Sequence, residues 1–322
     1  MTGSGAAPAV TIALGRCDGM RADVVLRVET AGDTSRTAIS GTLTGPHRGR
    51  DTTLPVTTRL QPAGAAGVTR AILTEPAYWT PDLPNLYRLE ATIESGDSPP
   101  RSIDRLVGLR RLGIRGRSLW HDAHRWVPRG VPATAADFAT CKAAGLAALV
   151  TGPDEATLAR ADEIGVAVLA LVPASRARDV TASADLIAAW AAHASVALAV
   201  LPADLPLTTV AEITSAARPI KGTLLLAASL SGARPPPVTM PPGIDCFVVV
   251  IDSDATPHEA WRNDAGVPLV AWRHGDARPE AGRSNCDVLQ AALAAWGTAG
   301  GRDTLPWDWA GYVVGPADLP TT

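Results

Sequence analysis

Cysteine is scarce in this sequence: Cys17, Cys141, Cys246 and Cys286 lie far apart and form no CxxC pair in 322 residues. That spacing argues against a structural zinc site or a disulfide framework and suits buried free thiols in a reducing compartment. Long apolar runs are also missing. No window approaches 18 uninterrupted apolar residues, so no transmembrane helix is expected. The start, "MTGSGAAPAVTIALGRCDG", has neither a basic segment nor a long apolar core, so no secretory leader is expected and the compartment reads as cytoplasmic. No Lys/Arg block interrupts a net charge of −3, which argues against a nucleic-acid backbone or an anionic membrane as partner. Phosphate-cradling glycine loops, Gly-x-Ser-x-Gly elbows and His-Glu-x-x-His helices are absent. Nucleotide, serine-hydrolase and metalloprotease readings therefore have no support, and neither a cofactor nor a metal is expected.

What is present is an ordinary globular composition, 46% apolar and 19% charged, with nine Trp against two Phe and three Tyr. The length suits two domains rather than one core. Up to about residue 127, short segments such as "ADVVLRVET", "TAISGTLTG" and "LYRLEATIES" alternate apolar and polar positions between Gly, Pro and Asp punctuation. That pattern predicts an antiparallel β-sandwich. After Pro128 apolar strand-like runs alternate with Ala-rich amphipathic helices. Eight runs qualify as strands, from "RGV" to "WAGYVVG", the count of a (β/α)8 barrel, although about 190 residues is compact for one. Asp154 and Ser183 are expected to cap helices, and Gly145, Gly165 and Gly266 to stop or follow them. Between "TLLLAASL" and "CFVVVIDS" lies "SGARPPPVTMPPGID", where proline density forbids a helix. One helix of the ring is expected to be missing, replaced by a rigid polyproline connector.

The junction carries the most specific pattern. "YWTPDLPNLYRLEATIES" followed by "GLRRLGIRGRSLWHDAHRWVPRGV" places Trp79, Pro81, Pro84, Leu86, Tyr87, Gly108, Arg110, Arg129, Gly130 and Val131 in register with a known family pattern. It resembles the immunoglobulin-like domain of glycoside hydrolase family 2, the β-galactosidase, β-glucuronidase and β-mannosidase group, and the passage from it into the barrel. The resemblance implies an immunoglobulin-like β-sandwich over residues 1–127 followed by a compact, degenerate (β/α)8 TIM barrel over 128–322.

It also implies where chemistry would sit. Retaining glycosidases use two carboxylates about 5 Å apart, one as acid/base and one as nucleophile. Counting from His193 in "HASVALAVLPAD", the acid/base position is Asp204 and the Asn before it has become Ala203. The nucleophile position, in "VPLVAWRHG", is Arg273, with Pro268 and Gly275 matching the fixed ends of that strand. A guanidinium stays protonated and cannot attack an anomeric carbon. No catalytic residue is therefore expected. Arg273 is expected to bridge to Asp204 or Asp276 across the former pocket, since a buried unpaired charge is expensive.

Asp204, Trp272, Arg273, His274, Asp276, Trp307 and Trp309 make up the candidate pocket. His121 and His124 are read as a surface turn rather than a metal pair. The expectation is an inactive glycosidase-like protein serving as a structural or interaction subunit with a protein partner in a larger assembly, with Trp120 and Trp126 as candidate contacts. The alternatives are a glycan-binding protein using the old barrel mouth, and a hydrolase with relocated carboxylates drawn from Asp204, Asp252, Asp254 or Asp276.

Overall fold

The computed structural model describes residues 9–29, 37–49, 54–95, 98–262, 266–275, 278–299 and 309–316. Alternation dictates the first part. Along Leu86–Ser95, Tyr87, Leu89, Ala91 and Ile93 are buried while Arg88 and Glu90 between them are exposed, as the two-residue period of a strand requires. Eight such strands follow one another: β1 (Ala9–Cys17), β2 (Arg21–Glu29), β3 (Thr37–His47), β4 (Val56–Arg59), β5 (Gln61–Pro62), β6 (Val68–Thr74), β7 (Leu86–Ser95) and β8 (Ser98–Gly108). They form two four-stranded sheets, ordered β1-β2-β6-β5 and β4-β3-β7-β8. Val24, Leu26 and Leu73 of one sheet meet Leu43 and Leu89 of the other in a common core, which makes a sandwich.

A three-stranded sheet, β9 (Leu112–Arg115), β10 (Ser118–His121) and β11 (His124–Trp126), links this sandwich to the second part. Its Leu112 and Leu119 join the apolar interior of the barrel that follows and floor its N-terminal end. That barrel is closed and parallel. Its strands are β12 (Arg129–Pro132), β13 (Ala147–Thr151), β14 (Val168–Leu171), β15 (Val196–Leu201), β16 (Leu225–Ser231), β17 (Cys246–Ile251), β18 (Leu269–His274) and β19 (Gly311–Gly315). An immunoglobulin-like sandwich leading into a TIM barrel is the architecture.

Helices α1 (Phe138–Ala143), α2 (Glu155–Ile164), α3 (Ala174–Ala177), α4 (Val180–Ala191), α5 (Leu207–Ala217) and α6 (Pro279–Thr298) wrap the barrel. Asp154 caps α2 as expected, accepting from the Thr157 amide at 2.8 Å, and Gly165 ends it at φ +83°. Ser183 does not cap α4. Asp179 does, accepting from the Ala182 amide at 3.0 Å, and the helix therefore starts at Val180, leaving Ser183 buried inside it with its hydroxyl on the Arg176 carbonyl. α6 begins at Pro279, a residue whose fixed φ suits the first helical turn. No helix joins β16 to β17, and among the described residues the segment after β17 forms only a short 3-10 turn at Glu259–Arg262.

Candidate functional site

In a barrel of this kind the C-terminal ends of the strands present the chemistry. The two positions singled out by the motifs fall on the fourth and seventh strands: Asp204 just beyond β15, Arg273 near the end of β18. The pleat then decides which way each side chain goes. Within β18, Val270 and Trp272 belong to the apolar interior of the barrel, whereas Ala271 belongs to the layer between barrel wall and helices. Arg273 is paired with Ile251 and Val314, both in that outer layer, and so lies on the outward register line.

Arg273 does not bridge to Asp204. Asp204 stands beyond its strand, well exposed, and its Oδ2 is 4.0 Å from Nη2 of Arg178. Among the described residues no carboxylate comes within ion-pair distance of Arg273, and its Nε is buried without a hydrogen-bond partner. Burial lowers the Arg273 pKa, and only the longer-range field of Asp254 opposes that shift. The expected pairing with Asp204 fails because it assumed both side chains share the mouth, while the pleat sends Arg273 outward; the alternative pairing with Asp276 falls outside the described residues. Asp276 and Trp307, also expected in the pocket, lie outside the described residues.

What points into the mouth from the seventh strand is Trp272, 7% exposed, packed edge-on against His274 with ring centroids 6.2 Å apart. A side chain at Gly315 would come within 2.7 Å of Pro132, so the eighth strand needs glycine there for its approach to the first, while the Trp272 indole nitrogen would lie at an ordinary 3.6 Å contact. Trp309 is 3% exposed and packs in the layer outside the barrel wall. The apolar part of the barrel interior is built from Ala, Leu, Val, Cys246 and Trp272, and Ser229, paired with the inward-facing Val248, is buried on the same register line.

One polar pair does stand on the rim. His274 Nδ1 lies 3.2 Å from Asp252 Oδ1; the imidazole is mostly covered and the carboxylate exposed. Val250 pairs with Trp272, so Asp252 and His274 are the next inward-facing pair on the same register line. That pair orients the imidazole, but it contributes only one carboxylate. Among the described residues no group of His, Cys, Asp and Glu has the arrangement of a metal site.

Sequence reasoning missed the polar cluster at the junction. Asp162 of α2 accepts the Ser195 amide at 2.7 Å and faces His193 Nδ1 at 2.7 Å, while Glu155 faces the other ring nitrogen at 2.9 Å. Arg110, 2% exposed, donates to the carbonyls of His193 and Val196 and to the Thr223 hydroxyl, and burial lowers its pKa to about 10. The motif residues Arg110 and His193 are thus joined through backbone, in a structural role. His121 also departs from the surface turn expected of it: it is 6% exposed between the rings of Trp79 and Trp126.

A sandwich of this topology followed by an eight-stranded barrel defines a glycosidase-like architecture. Residues 16–110 match the family model of glycosyl hydrolases family 2, which bears out the resemblance carried by the junction motifs. Among solved structures, a β-glucuronidase from Ruminococcus gnavus superposes with TM-score 0.67 at 14% identity, covering 97% of this chain and 62% of that one. A β-glucuronidase from Bacteroides uniformis gives 0.63 at 13%, covering 95% of this chain and 45% of that one. One from Dictyoglomus thermophilum gives 0.60 at 14%, covering 95% and 61%. At such identity these likenesses show the fold, and this chain spans between 45% and 62% of the length of those proteins. No curated protein sequence matches it.

Proposed function

We propose that this chain is a catalytically inactive glycosidase-like protein, retained as a structural or interaction subunit of a larger assembly, with its sandwich ending at Val127 and its barrel unit starting at Pro128. The observation that carries the reading is the seventh strand: Trp272 occupies the mouth where a nucleophile would have to stand, and Arg273 faces away from it. Double displacement needs two carboxylates about 5 Å apart around one sugar. Asp204 is exposed beside Arg178, its Oδ2 4.0 Å from the guanidinium. The β-glucuronidases of similar fold are the natural reference for activity, and the decisive assay is hydrolysis of aryl β-glucuronides, β-galactosides and β-mannosides by the full chain. Turnover at the buffer rate supports the reading. Turnover that disappears in Asp204→Ala refutes it.

A glycan-binding mouth fits less well, because Trp272 and Trp309 are both buried and offer no ring face to a sugar. A hydrolase of altered mechanism draws on the Asp252–His274 pair at 3.2 Å. It predicts activity lost on replacing either residue. A cytoplasmic location and a protein partner complete the proposal. Among the described residues no helix is long and apolar enough to cross a membrane.

A further inference from the structure

A cavity of about 560 Å3 lies at the opposite end of the barrel, under the N-terminal ends of β12, β13 and β14. It is walled by the Thr80–Leu83 turn of the sandwich, by the β10–β11 hairpin from His121 to Trp126, and by Lys142 of α1. Its size falls within the range of small-molecule sites, roughly 300–1,000 Å3. We propose that this junction cavity binds a small cyclic monocarboxylate, its carboxylate on Lys142 and its ring against Trp126.

Three features select that ligand. Lys142 donates to the Pro81 carbonyl and, among the described residues, has no carboxylate within ion-pair distance, although Asp82, which acts on it at longer range, and Asp122 also line the cavity. An ammonium has three donors, so two are left to meet an anion. Trp126 supplies a half-buried aromatic surface on the same wall, edge-on to His121 at 6.0 Å. His121 itself is buried, and its Nδ1 has no hydrogen-bond partner, an unusual state for a buried polar atom. Burial and the nearby Arg110 keep this imidazole neutral, so it adds no second charge. With Asp82 and Asp122 in the lining and Arg125 already partnered, the one ammonium left for a ligand matches one negative charge better than a phosphate dianion. Arg129 is already committed to Asp287 at 2.6 Å and Gln290 at 2.7 Å.

The absence of a side chain at Gly165 keeps the site open. A Cβ there would sit 2.6 Å from the Pro81 carbonyl and 3.1 Å from Lys142 Nζ, displacing the ammonium and the carbonyl that holds it.

The test is calorimetric titration of the full chain with benzoate, and with benzamide as the neutral isostere, repeated with cyclohexanecarboxylate and its amide. Each acid should bind at least ten-fold tighter than its amide. Lys142→Gln should remove that preference while Trp126→Ala weakens acid and amide alike, with thermal melts confirming that both variants fold. Equal affinity for acid and amide, a preference that survives Lys142→Gln, or no binding of either acid at millimolar concentration would each overturn the proposal. If Lys142→Gln does not fold, inorganic phosphate competing as well as benzoate on the unaltered chain overturns it too.

Discussion

The indole N–H of Trp79 donates to the backbone carbonyl of Asp162 at 2.9 Å, and so fastens the sandwich to the second helix of the barrel. Trp79 is fully buried against Leu86 and Ala194. The same Asp162 carries His193 and the Ser195 amide, so one helix position holds both the sandwich and the start of the fourth barrel strand. The junction motif is therefore a set of fasteners between sandwich and barrel.

Trp79→Ala should destabilise the protein by about 3–5 kcal/mol, the usual range for deleting a large buried aromatic. Trp79→Phe keeps much of the packing and should lose less, though the Asp162 carbonyl is left without its donor. Urea unfolding followed by circular dichroism reads both. Equal losses for the two variants would show that packing at this site does not matter.

His121 makes stability pH-dependent. Burial, aided by the Arg110 charge, lowers its pKa from 6.5 to about 4 in the folded chain. The unfolded chain then binds the extra proton first. Stability from this group is fully present above about pH 6.5 and is lost as pH falls towards 4, by on the order of 3 kcal/mol. His121→Phe should flatten this part of the pH profile between pH 7 and 4.5. An unchanged slope in urea midpoints would show that His121 titrates normally.

Restoring a carboxylate at the motif position should not restore chemistry. Arg273→Glu places the new group on the outward register line beside Ile251 and Val314, so hydrolysis of aryl β-glycosides should stay at the buffer rate. Measurable turnover in this single variant would mean that the strand presents position 273 to the mouth.

The thiols offer a check on burial. Cys246 and Cys286 are fully buried, and burial raises both pKa values, that of Cys286 to about 11. Cys141, also fully buried, is raised to about 12. Only Cys17 is half-buried. A thiol-specific disulfide reagent at pH 8 should label Cys17 first and the other three only on unfolding, since the thiolate is the reactive form. Rapid labelling of a second cysteine in the native protein would contradict the closed barrel wall.

Much of this was legible in the sequence because periodicity and turn chemistry act locally. Alternation in "LYRLEATIES" marked β7, Asp154 and Gly165 marked the two ends of α2, and proline density marked the missing helix before β17. Ser183 misled because Asp179, four residues earlier, reaches the helix amides first. The site was read less well. Aligning "VPLVAWRHG" by its Pro and Gly identified the position of Arg273 but not its direction. The pleat of the same strand held that information: Trp272 and Arg273 are neighbours and must face opposite ways. The Asp162–His193 cluster joins residues 31 positions apart, and nothing local announces such a pairing.

The most direct test of the assembly role is purification of the protein from its own cells under mild native conditions, with mass spectrometry of the intact particle. A partner protein recovered at a fixed molar ratio through successive columns is the predicted result. Recovery of the chain alone, as a monomer under every condition tried, would contradict it.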